Sequence, residues 1–87
     1  MVKESKIRFT KHALEKFDFV RQFGFVLEES QVIDAVKNPS RVDQKGNQFF
    51  ASKVLDSKYG LRVVYEIRKD YLVVITFYPV RRNRYGL

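Results

Sequence analysis

The chain is 87 residues long and 45% hydrophobic, with a net charge of +7 and no cysteine. That length makes one small domain, residues 1–87, and the lack of cysteine excludes disulfides and thiolate metal sites. No stretch approaches the roughly 20 apolar residues that cross a bilayer, and the opening Met1-Val2-Lys3-Glu4-Ser5-Lys6 lacks the apolar run of a secretion signal. The expectation is therefore a cytoplasmic protein with no membrane contact.

Lys6-Ile7-Arg8-Phe9 alternates polar and apolar residues, which predicts a short first strand. Thr10 stands where an N-cap would, because its hydroxyl can accept from a free amide of the first turn. Ala13, Phe17 and Val20 follow at helical spacing, with Leu14 beside them, and predict a helix from Lys11 to Arg21 or Phe23. Gly24 ends it, since glycine tolerates the left-handed turn past a helix. A second helix is expected from Glu28 or Glu29 to Lys37, with Val32, Ile33, Ala35 and Val36 as its apolar side. Its acidic start complements the positive end of the helix dipole. Asn38-Pro39 stops it, because the residue before proline avoids helical geometry. The short gap between the helices predicts a helical hairpin.

From Ser40 the period becomes that of strands. Arg41 to Gln44 is a weak strand, Lys45-Gly46-Asn47 a turn, and Gln48 to Leu55 a second strand. Ser57-Lys58-Tyr59-Gly60 and Arg68-Lys69-Asp70 turn the chain around a third strand, Leu61 to Ile67. Tyr71 to Tyr78 is the last and most apolar strand. Short connections in series predict an antiparallel meander. The expected fold is α+β: a short N-terminal strand and a helical hairpin packed on one face of an antiparallel sheet of four or five strands.

Alternation divides the strand faces. Leu61, Val63, Tyr65 and Ile67 should pack under the helices, and Arg62, Val64, Glu66 and Arg68 should look outward. In the last strand Leu72, Val74, Thr76 and Tyr78 form the outer set. That set is too apolar for solvent, so a partner or a terminus should cover it. Phe17, Phe49, Phe50 and Phe77 are core candidates. Beyond Pro79 a basic tail should leave the sheet.

Function is most legible at the end of the chain. Ile75 to Tyr78 runs into Arg81, Arg82, Arg84 and Tyr85, with no acid among residues 75–87. Residues 1–27 sum to +3, residues 28–56 to −1 and residues 57–87 to +5. Such a distribution attracts RNA or an acidic protein if the two ends of the chain meet.

The run Phe9-Thr10-Lys11-His12-Ala13-Leu14-Glu15-Lys16 and the helix-closing Asn38-Pro39 are similar to a family of small uncharacterised prokaryotic domains. Leu61-Arg62-Val63-Val64-Tyr65 and Ile75-Thr76-Phe77-Tyr78-Pro79 resemble the same family, which looks related to the RelE/ParE toxin superfamily of the barnase–colicin–RelE-like group. The resemblance covers nearly the whole chain. It implies a RelE-like fold and a toxin-like RNA endonuclease, metal-independent, acting with or without the ribosome and restrained by an antitoxin.

Metal-free RNA cleavage needs a base for the 2′-hydroxyl, an acid for the leaving 5′-oxygen and cations for the transition state. His12 is the sole histidine, and imidazole suits either proton transfer. Its competing role is to pack or cap the first helical turn. Glu66 is a second candidate base, with a cross-strand ion pair as the structural alternative. Arg82 and Tyr85 complete the catalytic candidates. Lys11, Arg62, Tyr78, Arg81 and Arg84 are candidate RNA contacts, because guanidinium offers a bidentate fork to phosphate and tyrosine stacks on bases. A solvated basic tail and an amphipathic strand-end tyrosine are the alternatives for these. No metal-ligand spacing, glycine-rich phosphate loop or nucleophilic triad is present, so no cofactor is expected. Two other readings stand beside the nuclease: a nucleic-acid-binding module without catalysis, and a protein-interaction domain that is a degenerate toxin or a homodimer.

Overall fold

The computed structural model describes residues 6–87; Met1–Ser5, read above for a secretion signal, lie outside the described residues. Strand β1 (Ile7–Phe9) leads into helix α1 (Lys11–Arg21) and helix α2 (Glu29–Lys37). Strands β2 (Arg41–Lys45), β3 (Gln48–Val54), β4 (Tyr59–Ile67) and β5 (Leu72–Arg81) follow, then a single 3-10 turn at Arg82–Arg84. The architecture is α+β, as expected.

The five strands form one sheet in the order β1-β5-β4-β3-β2. The meander from β2 to β5 is antiparallel, but β1 pairs with β5 in parallel, Ile7 opposite Leu72 and Phe9 opposite Val74. The sheet is therefore mixed, which corrects the all-antiparallel expectation. The helices between β1 and the meander supply the crossover that a parallel pair requires.

Both helices cover one face. α1 lies over β5 and β1, and α2 lies over β4 and β3. Ala13 and Val20 of α1 and Val32 and Ala35 of α2 are buried against Leu61, Val63, Val74 and Phe77. Phe17 packs on Phe77, with ring centroids 4.6 Å apart. Phe49 stacks on Tyr65 at 5.3 Å, and burial pushes the Tyr65 phenol above its ordinary pKa. The helix ends follow local rules. The Thr10 hydroxyl accepts from the Ala13 amide at 3.0 Å. The Glu28 amide donates to Gln31 Oε1 at 2.8 Å. Gly24, at φ +90°, takes the left-handed turn after α1.

The face assignment of β5 needs correction. Val64 stands opposite Thr76, but Tyr65 stands opposite Val74, so Ile75 is an extra residue in a β-bulge. Before the bulge Leu72 and Val74 face the helices and are buried; after it Phe77 does. The outer apolar set Leu72–Val74–Thr76–Tyr78 is thus split, and the face that seemed to demand a covering partner is reduced to Thr76 and Tyr78 on β5 after the bulge. Ile67 is 49% exposed rather than packed under the helices, because it occupies the last rung of the ladder beside the turn. Phe50 also leaves the core: it pairs with Val64, on the side away from the helices, beneath Arg62.

The basic tail does not leave the sheet at Pro79. β5 continues to Arg81, and residues 82–87 fold back across the helix-free face. Gly60 leaves room for this return, since a Cβ there would meet Leu87 Cδ1 at 2.5 Å and the Lys53 carbonyl at 3.1 Å.

Candidate functional site

The helix-free face can be read as a grid. Its rows across β3, β4 and β5 are Phe50–Val64–Thr76, Ser52–Arg62–Tyr78 and Val54–Gly60–Val80. On the other side of the bulge the row is Gln48–Glu66–Val73. Neighbouring rows stand about 7 Å apart along a strand, two residues of rise.

Arg62 occupies the middle of this grid. Its guanidinium carbon lies 5.0 Å from the centre of the Phe50 ring and 4.8 Å from that of Tyr85. Nη1 donates to Ser52 Oγ at 2.9 Å and stands 3.5 Å from an Asp43 carboxylate oxygen. The side chain is 13% exposed. Two rings and two polar partners fix its position, so the cation is preorganised. Tyr85 is held in turn by Arg41, whose Nη1 donates to its carbonyl at 3.1 Å.

His12 reaches the same face from the edge. β1 ends opposite Val74, and the chain turns into α1 beside the bulge. Thr10 fixes that junction. Its amide donates to the Val74 carbonyl at 3.1 Å, and its hydroxyl donates to the Ile75 carbonyl at 3.0 Å while accepting from Ala13. One side chain thus caps α1 and anchors the bulge. Two residues later, His12 Nε2 lies 3.2 Å from Thr76 Oγ1. The imidazole is exposed and sits one row from Tyr78 and Arg62.

The remaining candidates divide. Glu66 lies on the open face, but its carboxylate pairs with Arg68 at 2.8 Å. Tyr78 is half-buried on the open face, opposite Arg62. Lys11 is exposed in the first turn of α1, and Arg84 is exposed in the 3-10 turn. Arg81 sits on the helix side, its guanidinium 5.5 Å from the Tyr59 ring centre, and so is not brought to His12. Arg82 serves as an anchor. Its Nε donates to the Leu87 carbonyl at 3.3 Å, and Nη1 to the carbonyls of Asp56 at 3.2 Å and Ser57 at 3.5 Å. Those bonds tie the chain end to the β3–β4 turn. That turn is itself closed by the Asp56 carboxylate, which accepts from the Lys58 and Tyr59 amides at 2.8 Å. These amides hold the Asp56 pKa below its ordinary value.

Thr10, Thr76, Ser52 and Phe50 were not singled out as site residues by the sequence. Thr76 was visible only as a polar residue in an apolar strand. Among the described residues, no three metal-ligating side chains come together, and no helix is long and apolar enough to cross a membrane. No protein-family model, no curated protein and no solved structure matches this chain.

Proposed function

We propose that this protein is a metal-independent, RelE-like RNA endonuclease whose substrate strand crosses the helix-free face of the sheet. The observation that carries this reading is the pairing of His12 with Thr76, one row from a rigid, ring-clamped Arg62. Imidazole exchanges protons near neutrality. Thr76 orients it, and Arg62 supplies the charge that a phosphorane-like transition state needs. Tyr78 and Tyr85 offer rings for base stacking beside that cation. The resemblance to RelE/ParE toxins and the α+β architecture support the same reading, as does the high net charge. Restraint by an antitoxin belongs to that resemblance.

The bond changes are those of transesterification. The 2′-oxygen loses its proton to a base, attacks phosphorus and forms a 2′,3′-cyclic phosphate. The bond to the 5′-oxygen breaks, and that oxygen takes a proton. His12 serves one of these transfers. Glu66 serves the other when it releases Arg68.

The test is gel analysis of RNA incubated with the purified protein, with and without ribosomes, in the presence of a chelator. Cleavage giving cyclic-phosphate ends supports the reading, and intact RNA in both arms rejects it. A second reading, a binding module without catalysis, is favoured by the Glu66–Arg68 pair, which occupies the second proton carrier. It predicts intact RNA together with affinity that falls steeply as salt rises.

A further inference from the structure

We infer that the groove between the C-terminal half of α1 and the outer edge of β5 docks an acidic amphipathic helix of a partner protein. The groove encloses about 250 Å³ and lies between α1 and residues 78–81 of β5. Its helical wall is Lys16 and Phe19 of α1, three residues apart on one side of the helix, continued by Phe23 in the turn just after it. Phe19 is 50% exposed and Phe23 66% exposed, with Val26 nearby in sequence at 71%. Their rings pack on each other at 5.3 Å and leave their outer sides to solvent. A small, highly charged domain gains nothing for its own fold by presenting such a cluster.

The chemistry of the occupant follows from the rim. No acidic side chain lines the groove. Lys16 Nζ stands 4.7 Å over the Phe19 ring, and Arg81 closes the other end over Tyr59. The nearby Asp18 pairs with Arg21 at 3.3 Å. Apolar anchors flanked by carboxylates complement that rim. A second copy of a chain with net charge +7 does not. The backbone selects a helix over a strand. β1 stops opposite Val74, so the outer edge of β5 beyond that point is bare of a strand among the described residues. Pro79 has no N–H to offer there, which interrupts any added ladder. A ridge of α1 beside a trough instead accepts the apolar stripe of another helix.

This surface meets the helix-free face only along Tyr78 and Val80, and peptide binding is read without RNA, so its failure and the failure of the RNA reading are distinguishable. The full chain, labelled for amide NMR, is titrated with a synthetic amphipathic peptide of about 15 residues. The peptide carries leucines at helical spacing and glutamates on the flanks; a control carries lysines in place of the glutamates. The expected result is shifts at residues 16–26 and 78–81 that weaken with salt, with about tenfold weaker binding of the lysine control. Phe23→Ser should reduce affinity by at least about tenfold while preserving the dispersed spectrum, since Phe23 is exposed. Lys16→Glu should narrow or reverse the preference between the two peptides. Absence of shifts at millimolar peptide would overturn the inference. So would equal response to both peptides, shifts confined to the helix-free face, or concentration-dependent dimerisation that moves the Phe19 and Phe23 amides.

Discussion

The guanidinium of Arg62, in the middle of β4, stands 4.8 Å from the centre of the ring of Tyr85, which lies just past the 3-10 turn. The contact fastens the returning chain end to the middle of the sheet. Phe50 supplies a second ring, its centre 5.0 Å from the same guanidinium. Double-mutant analysis of Arg62→Ala and Tyr85→Ala by chemical denaturation should give a coupling of about 0.5–2 kcal/mol. Arg62→Ala alone should cost more than Tyr85→Ala, because it also removes the donor to Ser52 Oγ and one of the two cations beside Asp43, leaving Arg41 at 3.1 Å.

Thr10 makes two contacts with one hydroxyl, and Thr10→Val should lose both while preserving shape. The expected destabilisation is about 1–2 kcal/mol, the range for a lost N-cap, with the bulge anchor adding to it. Hydrogen exchange should rise at Ala13 and along Val74–Thr76 more than in β3 and β4. Uniform protection across the sheet in the variant would contradict the anchoring role.

If the protein cleaves RNA, His12→Ala should lower the rate by about 10²- to 10⁴-fold with unfolding midpoints unchanged, as expected for an exposed proton carrier. Thr76→Val should lower it less, and should alter the pH profile of cleavage through loss of the imidazole's partner. Single-turnover assays across pH read both effects. An unchanged rate in His12→Ala would remove that residue from the chemistry.

The Asp56 carboxylate gives a pH-dependent lock on the β3–β4 turn. Its folded-state pKa is lowered, first by the Tyr59 amide and then by the Lys58 amide. A depressed carboxylate stabilises the fold above its unfolded pKa, and that contribution disappears as pH falls through the folded value. Asp34, lowered chiefly by the Lys53 side chain and then by Asn38, acts in the same direction. Acid titration followed by NMR should therefore loosen residues 56–59 and the Arg82 anchor below the usual carboxylate range. In Asp56→Asn that acid dependence should be reduced.

Helices, turns and most strand bounds were legible because they rest on local rules. The Ala13–Phe17–Val20 stripe, the Asn38-Pro39 stop and the Gly46 turn each act within a few residues. Strand β5 was legible in kind but not in facing. A bulge adds one residue without changing the alternation of the sequence, so Leu72 and Val74 could be assigned to the wrong face. The end of β5 was misread for a related reason. Pro79 signals a break only where its missing N–H is needed, and among the described residues no strand pairs with this side of β5 beyond Val74.

The site divides along the same line. The residue types that suit RNA were visible in the chain: one histidine, arginines and tyrosines near its end, and a positive balance. Which of them work together was set by contacts between residues far apart in sequence. Arg82 reads as a phosphate clamp in isolation, yet the folded chain uses its donors on three carbonyls. Arg62 reads as one charge on an outward strand, yet packing makes it the fixed centre of a face. Amino-acid order alone determined the α+β class, the helix ends and the basic character, since each depends on near neighbours. Only the tertiary structure decided the parallel β1–β5 pair, the bulge and the His12–Thr76 juxtaposition. The strand pair and the juxtaposition join residues 64 or 65 positions apart, and the bulge is a register shift between β4 and β5; no local pattern specifies such partners.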